Sequence, residues 1–209
     1  MDWWGLLTLL ISAAAALLCI TLHELSHGFV AWRLGDPTAK NAGRLTLNPI
    51  KHLDLFGLLM MLIAKVGWAK PVPVDMRYFK KPKQGMALTA LAGPVSNFVL
   101  ALLAMLCARL IYHQYGALWD FIFDLLLTTA YLSVGLGLFN LIPISPLDGS
   151  KVLFAFLPDS AYEKLMRYEK YGMIALLILV WLGVGDNVLS TAIYNVYASM
   201  INFVFRGIV

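Results

Sequence analysis

The sequence predicts an all-α polytopic membrane protein: a three-span core, a C-terminal helical hairpin, and a short membrane-associated section between them that is part β-like chain and part re-entrant. Two observations carry this. Of the 209 residues, 60% are hydrophobic and only 13% are charged, and several apolar runs reach the roughly 17–25 residues with which an α-helix crosses a bilayer. No polar block is large enough to bury a soluble core of its own, so residues 1–209 read as one transmembrane domain, with the core over about 3–156 and the hairpin over about 171–205.

The first span runs from Trp3 to about Leu34, carries no charge as far as Leu22, and has Asp2 before it as a cap and Gly35-Asp36-Pro37 after it as a stop. It is longer than a bilayer requires, so it tilts or protrudes. A polar section follows, in which "AGRLTLNP" alternates like a strand and "VGWAKPVPV" reads as extended, proline-punctuated chain. Between them Leu53 to Ala64 is apolar but too short to span, and is taken as re-entrant or interfacial. The second span, Met86 to Tyr112, contains "AGPVSN", where Pro94 removes a backbone donor and bends the helix. The third, Leu125 to Ile142, leads into "PISPLDG". Two weaker apolar segments between Tyr171 and Phe205 flank Gly185-Asp186-Asn187 and read as a hairpin that returns the chain to the side it came from.

Charge sets the orientation. Ten Lys or Arg lie between Arg33 and Lys83, four between Lys151 and Lys170, and Arg206 follows the hairpin. In this topology they share one face with only Arg109 near the other, so the basic face is cytoplasmic, the N-terminus is outside and the C-terminus is cytoplasmic. If residues 53–64 crossed, the cations from Lys65 to Lys83 would move outside, which favours re-entrance. The +4 formal charge thus speaks of membrane orientation and not of nucleic acid. Cys19 and Cys107 sit in separate apolar runs without CxxC spacing and read as small core residues. The N-terminus lacks a basic n-region and a small-residue cleavage site, so it is expected to be retained.

The polar groups of "HELSH" stand out against this background. His23 and His27 are four residues apart, so on a helix they project from one face about 40° apart and can ligate one metal ion. Glu24 is then left beside the metal as a proton acceptor. Charges within spans cost about 2.5–3.5 kcal/mol each on insertion scales, which makes a chance polar helix end the weaker reading. A catalytic zinc needs a third protein ligand and an open position. No histidine stands six residues after His27, where Arg33 is found, and the next glutamate after Glu24 is Glu163. Asp148 is the best placed, because it follows the third span at the end where the first span places its histidines. It could instead cap the short helix after it, and His52 and Asp54 are rival ligands on the same face.

"HELSH", "AGPVSN" and "NLIPISPLDG", in this order and each attached to an apolar span, resemble the site-2 protease family of intramembrane metalloproteases, over Trp3 to about Phe156. The resemblance implies one catalytic zinc held by His23, His27 and Asp148, with Glu24 as general base. It also implies that Asn97 and Asn140 lie near the active site, where an amide could hold substrate backbone or stabilise an oxyanion, or could simply bond between helices. The implied partners are a transmembrane protein substrate and the lipid bilayer, with the site toward the cytoplasmic side of a prokaryotic plasma membrane. The "GRLTLN" stretch is expected to pair with an unwound substrate as an added strand. No PDZ-like or CBS-like stretch is found. A divalent-metal transporter and a catalytically inactive relative are the alternatives: the first would need ligands along a path to both faces, and the second would not need every catalytic residue present.

Overall fold

The structure is a computed structural model that describes residues 3–64 and 67–207; Asp2, expected as a cap, and Lys65 fall outside these. Three of its helices are long and apolar enough to cross a membrane. Helix α1 spans Trp3–Arg33, within the run expected for it, while α4 (Pro82–Ile111) and α5 (Ala117–Asn140) begin before the expected Met86 and Leu125. The chain is an integral membrane protein. The stop after α1 works as its residues suggest. Gly35 takes φ +110°, which favours a residue without Cβ. Asp36 then accepts the Thr38 N–H at 2.9 Å through Oδ1 and the Asp75 N–H at 2.7 Å through Oδ2. The single turn α2 (Thr38–Asn41) follows. Helix α4 continues through Pro94 as one helix, so the proline does not divide it.

The bundle packs through small side chains. On α4 the buried residues Ala101, Ala104, Met105 and Ala108 follow the three-and-four spacing of one helical face, and they meet Ala130 and Val134 of α5. Larger residues of the same helix, Leu103, Leu106 and Leu110, point outward. Lipid tails are as apolar as leucine, so helix association in a bilayer gains from close backbone approach more than from burying large side chains. Cys19 of α1, buried, lies 3.5 Å from the Thr129 carbonyl of α5, and Cys107 is exposed; both are free thiols.

The polar section holds α3 (Leu55–Ala64), ten residues and about 15 Å long, which is half a bilayer. Asp54 Oδ1 receives the Gly57 N–H at 2.7 Å and so starts the helix. The expected strand at "AGRLTLNP" does not form. Among the described residues the section has one backbone pairing of the β type, a bridge between Leu53 and Ala69. Local bonds win instead: the Thr46 hydroxyl accepts the Asn48 N–H and the Asn48 side chain accepts the Ile50 N–H, both at 3.1 Å, opening a 3₁₀ turn over Pro49–His52.

After α5 come α6 (Asp148–Phe154), α7 (Asp159–Arg167), α8 (Glu169–Trp181) and α9 (Asp186–Val204). Lys83 meets Asp159 at 2.7 Å and Lys151 meets Glu169 at 3.6 Å, so α7 and the start of α8 sit at the end of the bundle where α4 begins. The C-terminal pair of helices expected from the sequence is present and bent. Helices α8 and α9 meet at a bend of 86°, and α9 runs antiparallel to α5. Ile193 lies by Gly135, Tyr197 by Tyr131 and Phe205 by Phe123, so α9 ends where α5 begins. There the Arg109 guanidinium donates to the Val204 carbonyl and satisfies an orphan group of the last turn. Helix α8 thus lies across α9, and α9 is the one that runs along α5. The end of α9 therefore lies at the end of the bundle remote from Asp148, with Arg206 near Arg109, while the basic residues of α2, α6 and α7 stay at the other end.

Candidate metal centre

Helix α1 carries His23 and His27 four residues apart on its buried face. The loop after α5 delivers Asp148 as the first residue of α6, against them. Gly149 makes that delivery possible, because a Cβ there would collide with the Leu141 carbonyl at the end of α5. The Nε2 atoms of the two histidines are 3.0 Å apart, and each is 3.2 Å from Asp148 Oδ2. Among the described residues this is the one cluster of three His, Cys, Asp or Glu side chains able to share a metal ion. Ligand atoms about 2.0–2.1 Å from a tetrahedral ion stand about 3.3–3.4 Å from one another, so the three donors are already near their spacing. All three residues are buried, and Asp148 Oδ2 has no hydrogen-bond partner within normal geometry. Burial raises the Asp148 carboxyl, but the two imidazoles facing it outweigh burial and hold the group well below the usual carboxylate range. It is an anion facing two imidazoles.

The other candidates separate clearly. Asp148 makes no side-chain cap bond at the start of α6, and its side chain is turned to the histidines instead. His52 is fully buried with Nε2 2.9 Å from the Thr46 carbonyl, and Asp54 starts α3; neither joins the cluster. Glu24 stands beside the cluster without entering it, and its Oε2 accepts the Val72 N–H at 3.0 Å. Asn97 is wholly buried with its amide 3.3 Å from His23 Nδ1. Asn140 is half-buried at the end of α5 and donates to the Leu136 carbonyl at 3.0 Å.

Comparison with known proteins identifies the family. A family model described as "Peptidase family M50" matches residues 109–183. The "Putative zinc metalloprotease YwhC" of Bacillus subtilis is 44% identical over 174 residues, 81% of this chain and 79% of its own length. The "Putative zinc metalloprotease Rip2" of Mycolicibacterium smegmatis is 30% identical over 185 residues, covering 86% of this chain and 69% of its own. The chain belongs to peptidase family M50, the site-2 protease family. A "Zinc metalloprotease MJ0392" of Methanocaldococcus jannaschii is more distant, 26% identical over 74% of this chain and 35% of its own length. No solved structure matches.

Several residues of this M50 chain that build the centre were not singled out from sequence. Thr89 of α4 offers its carbonyl 2.7 Å from His27 Nδ1, which fixes the ring with its proton on Nδ1 and leaves the Nε2 lone pair facing the position shared with Asp148. Gly93 lies under both rings: a Cβ there would stand 2.5 Å from His27 Cε1 and Nε2 and 2.6 Å from His23 Cε1. Arg44 is buried and grips the proline segment, with Nη2 2.6 Å from the Lys70 carbonyl and Nη1 3.2 Å from that of Pro71. Pro71 and Pro73 lack an N–H, so Val72 carries the one donor of that triplet, and it goes to Glu24. Replacing Arg44 by Ala should release the segment. Amide exchange at Val72 should rise and stability should fall by about 1–3 kcal/mol, read by hydrogen–deuterium exchange and thermal unfolding. Wild-type protection at Val72 would mean that the prolines alone hold it.

Proposed function

We propose that the chain is a zinc-dependent intramembrane endopeptidase that cuts a transmembrane protein substrate in or near its membrane segment. The observation that supports this most is the convergence of His23, His27 and Asp148 at 3.0–3.2 Å within the membrane-spanning bundle. Two imidazoles and one carboxylate form a donor set of the catalytic zinc type. Zinc bound there supplies Lewis acidity toward a carbonyl oxygen and toward water. Glu24 does the proton work. The Val72 N–H occupies Oε2, which leaves Oε1 to take a proton from the attacking water and pass it to the nitrogen of the leaving amine as the C–N bond breaks. Asn140, with its NH2 on Leu136, keeps Oδ1 for a substrate N–H.

Access for a membrane substrate has a structural counterpart. An apolar groove of about 540 Å3 runs between α1 and α4 and is lined by Leu22, Leu25, Ser26, Ala92, Val95 and Ser96 among others. Its residues alternate along α1 with those of the metal cluster. The basic residues beside the cluster favour the cytoplasmic side for the site. With the end of α9 at the opposite end, both termini of the described chain then face outward, and the relatives in bacteria favour a prokaryotic plasma membrane.

Purified protein in detergent, given a single-span reporter, tests the reading. Cleavage should stop when the metal is removed by chelation and return on addition of equimolar zinc, with the cut mapped by mass spectrometry within or beside the reporter's span. Cleavage undiminished in the metal-free protein, or zinc carried into sealed vesicles by a chain that cuts nothing, would overturn it.

A further inference from the structure

We propose that Asn97 is the positioning residue of His23: its side-chain amide, turned so that Oδ1 faces the ring, accepts the Nδ1 proton and leaves the Nε2 lone pair directed at the metal position. The inference rests on the metal-binding role proposed above. A neutral imidazole carries one N–H, so a histidine that ligates through Nε2 holds its proton on Nδ1 and needs an acceptor there. The group nearest His23 Nδ1 is Asn97 Nδ2 at 3.3 Å, which would set donor against donor. Asn97 Oδ1 meanwhile is buried with no partner. The two ends of an amide have nearly the same outline, and its orientation follows from its bonding. A half-turn of the amide gives His23 its acceptor.

His27 meets the same need in a way that admits one reading. Its Nδ1 is 2.7 Å from the Thr89 carbonyl, which can only accept. Thr89, Gly93 and Asn97 are spaced by four along α4, so they share one face. His23 and His27, also spaced by four, run past them in the opposite direction on α1. Each ring thereby receives one acceptor from α4, with Gly93 beneath both. The Ser133 hydroxyl of α5 donates to the Asn97 carbonyl at 2.9 Å and fixes that turn. Asn97 itself is 0% exposed, which leaves no room for a peptide to touch it. Its effect on the reaction must pass through His23.

The test measures zinc affinity by chelator competition, and the visible spectrum of the cobalt-substituted form, on full-length protein in detergent. Asn97→Leu keeps the volume and removes the acceptor; its zinc affinity should fall about 10–100-fold with an altered cobalt spectrum. Asn97→Asp restores an acceptor and should hold zinc within a few-fold of wild type, with a wild-type spectrum. Ser133→Ala, which removes the bond to the Asn97 backbone and the contact with Cys19 but leaves the Asn97 side chain, should bind zinc like wild type. Unchanged affinity in Asn97→Leu would overturn the proposal, even with slowed cleavage, because that pattern belongs to direct contact with substrate. Should Asn97→Leu not fold, Asn97→Asp decides: wild-type affinity supports the proposal and a tenfold loss overturns it. A wild-type chain that binds no zinc would overturn this and the metal-binding role together.

Discussion

A Glu24→Gln chain should keep its zinc and lose cleavage by about 10²–10⁴-fold, the range a positioned general base contributes. The separation of the two readouts follows from where the carboxylate sits. Its neighbours His23 and His27 meet Asp148 at 3.2 Å each, and Glu24 is absent from that cluster. Glutamine has the same shape, and its amide oxygen can still accept the Val72 N–H that now reaches Oε2 at 3.0 Å, so the proline segment stays in place. Only the basicity goes. Zinc per chain by elemental analysis and the initial cleavage rate on the same preparation decide the matter. Zinc lost together with activity would make Glu24 a ligand; activity retained would put the base elsewhere.

The parts of the site legible in the sequence are those that a helical period converts into geometry. His23 and His27 needed only the spacing of four and an apolar run around them. Asp148 lies far along the chain, and its place was reached from the order of the spans and from the resemblance, since the proline-rich approach alone fits a helix cap equally well. What stayed hidden was tertiary. Arg44 is one of ten cations in a basic stretch, and composition cannot distinguish a guanidinium that holds two carbonyls from one in solvent. The alternation of "GRLTLN" follows strand period, yet Thr46 and Asn48 close local bonds on their own backbone, which a two-residue pattern does not reveal. The angle within the C-terminal pair was hidden for a similar reason. Hydropathy gives the length of α8 and α9 but not the angle between them, and the 86° bend decides whether a pair returns or crosses. The thirteen residues of α8 are too few to cross a bilayer alone.

Gly93 precedes the Pro94 that stood out in the sequence, and its position in the structure yields the second large effect. Gly93→Ala should abolish tight zinc binding, with a loss beyond the about 10–100-fold typical of an outer-shell substitution. The added Cβ would lie 2.5 Å from His27 Cε1 and Nε2 and 2.6 Å from His23 Cε1, where real Cβ contacts do not fall below 3.0 Å. Retreat of α4 is blocked on the same face. Moving it away would break the 2.7 Å contact between the Thr89 carbonyl and His27 Nδ1 and open the alanine packing at Ala101, Ala104 and Ala108. The rings must tilt instead, and Nε2 of each then leaves the point shared with Asp148. An ordinary helical glycine predicts the reverse sign: alanine is favoured by about 0.8–1.0 kcal/mol in a helix interior, so the variant would be more stable and bind zinc as before. Thermal unfolding together with zinc competition separates the two, and a stabilised chain with unchanged zinc affinity would remove Gly93 from the metal centre.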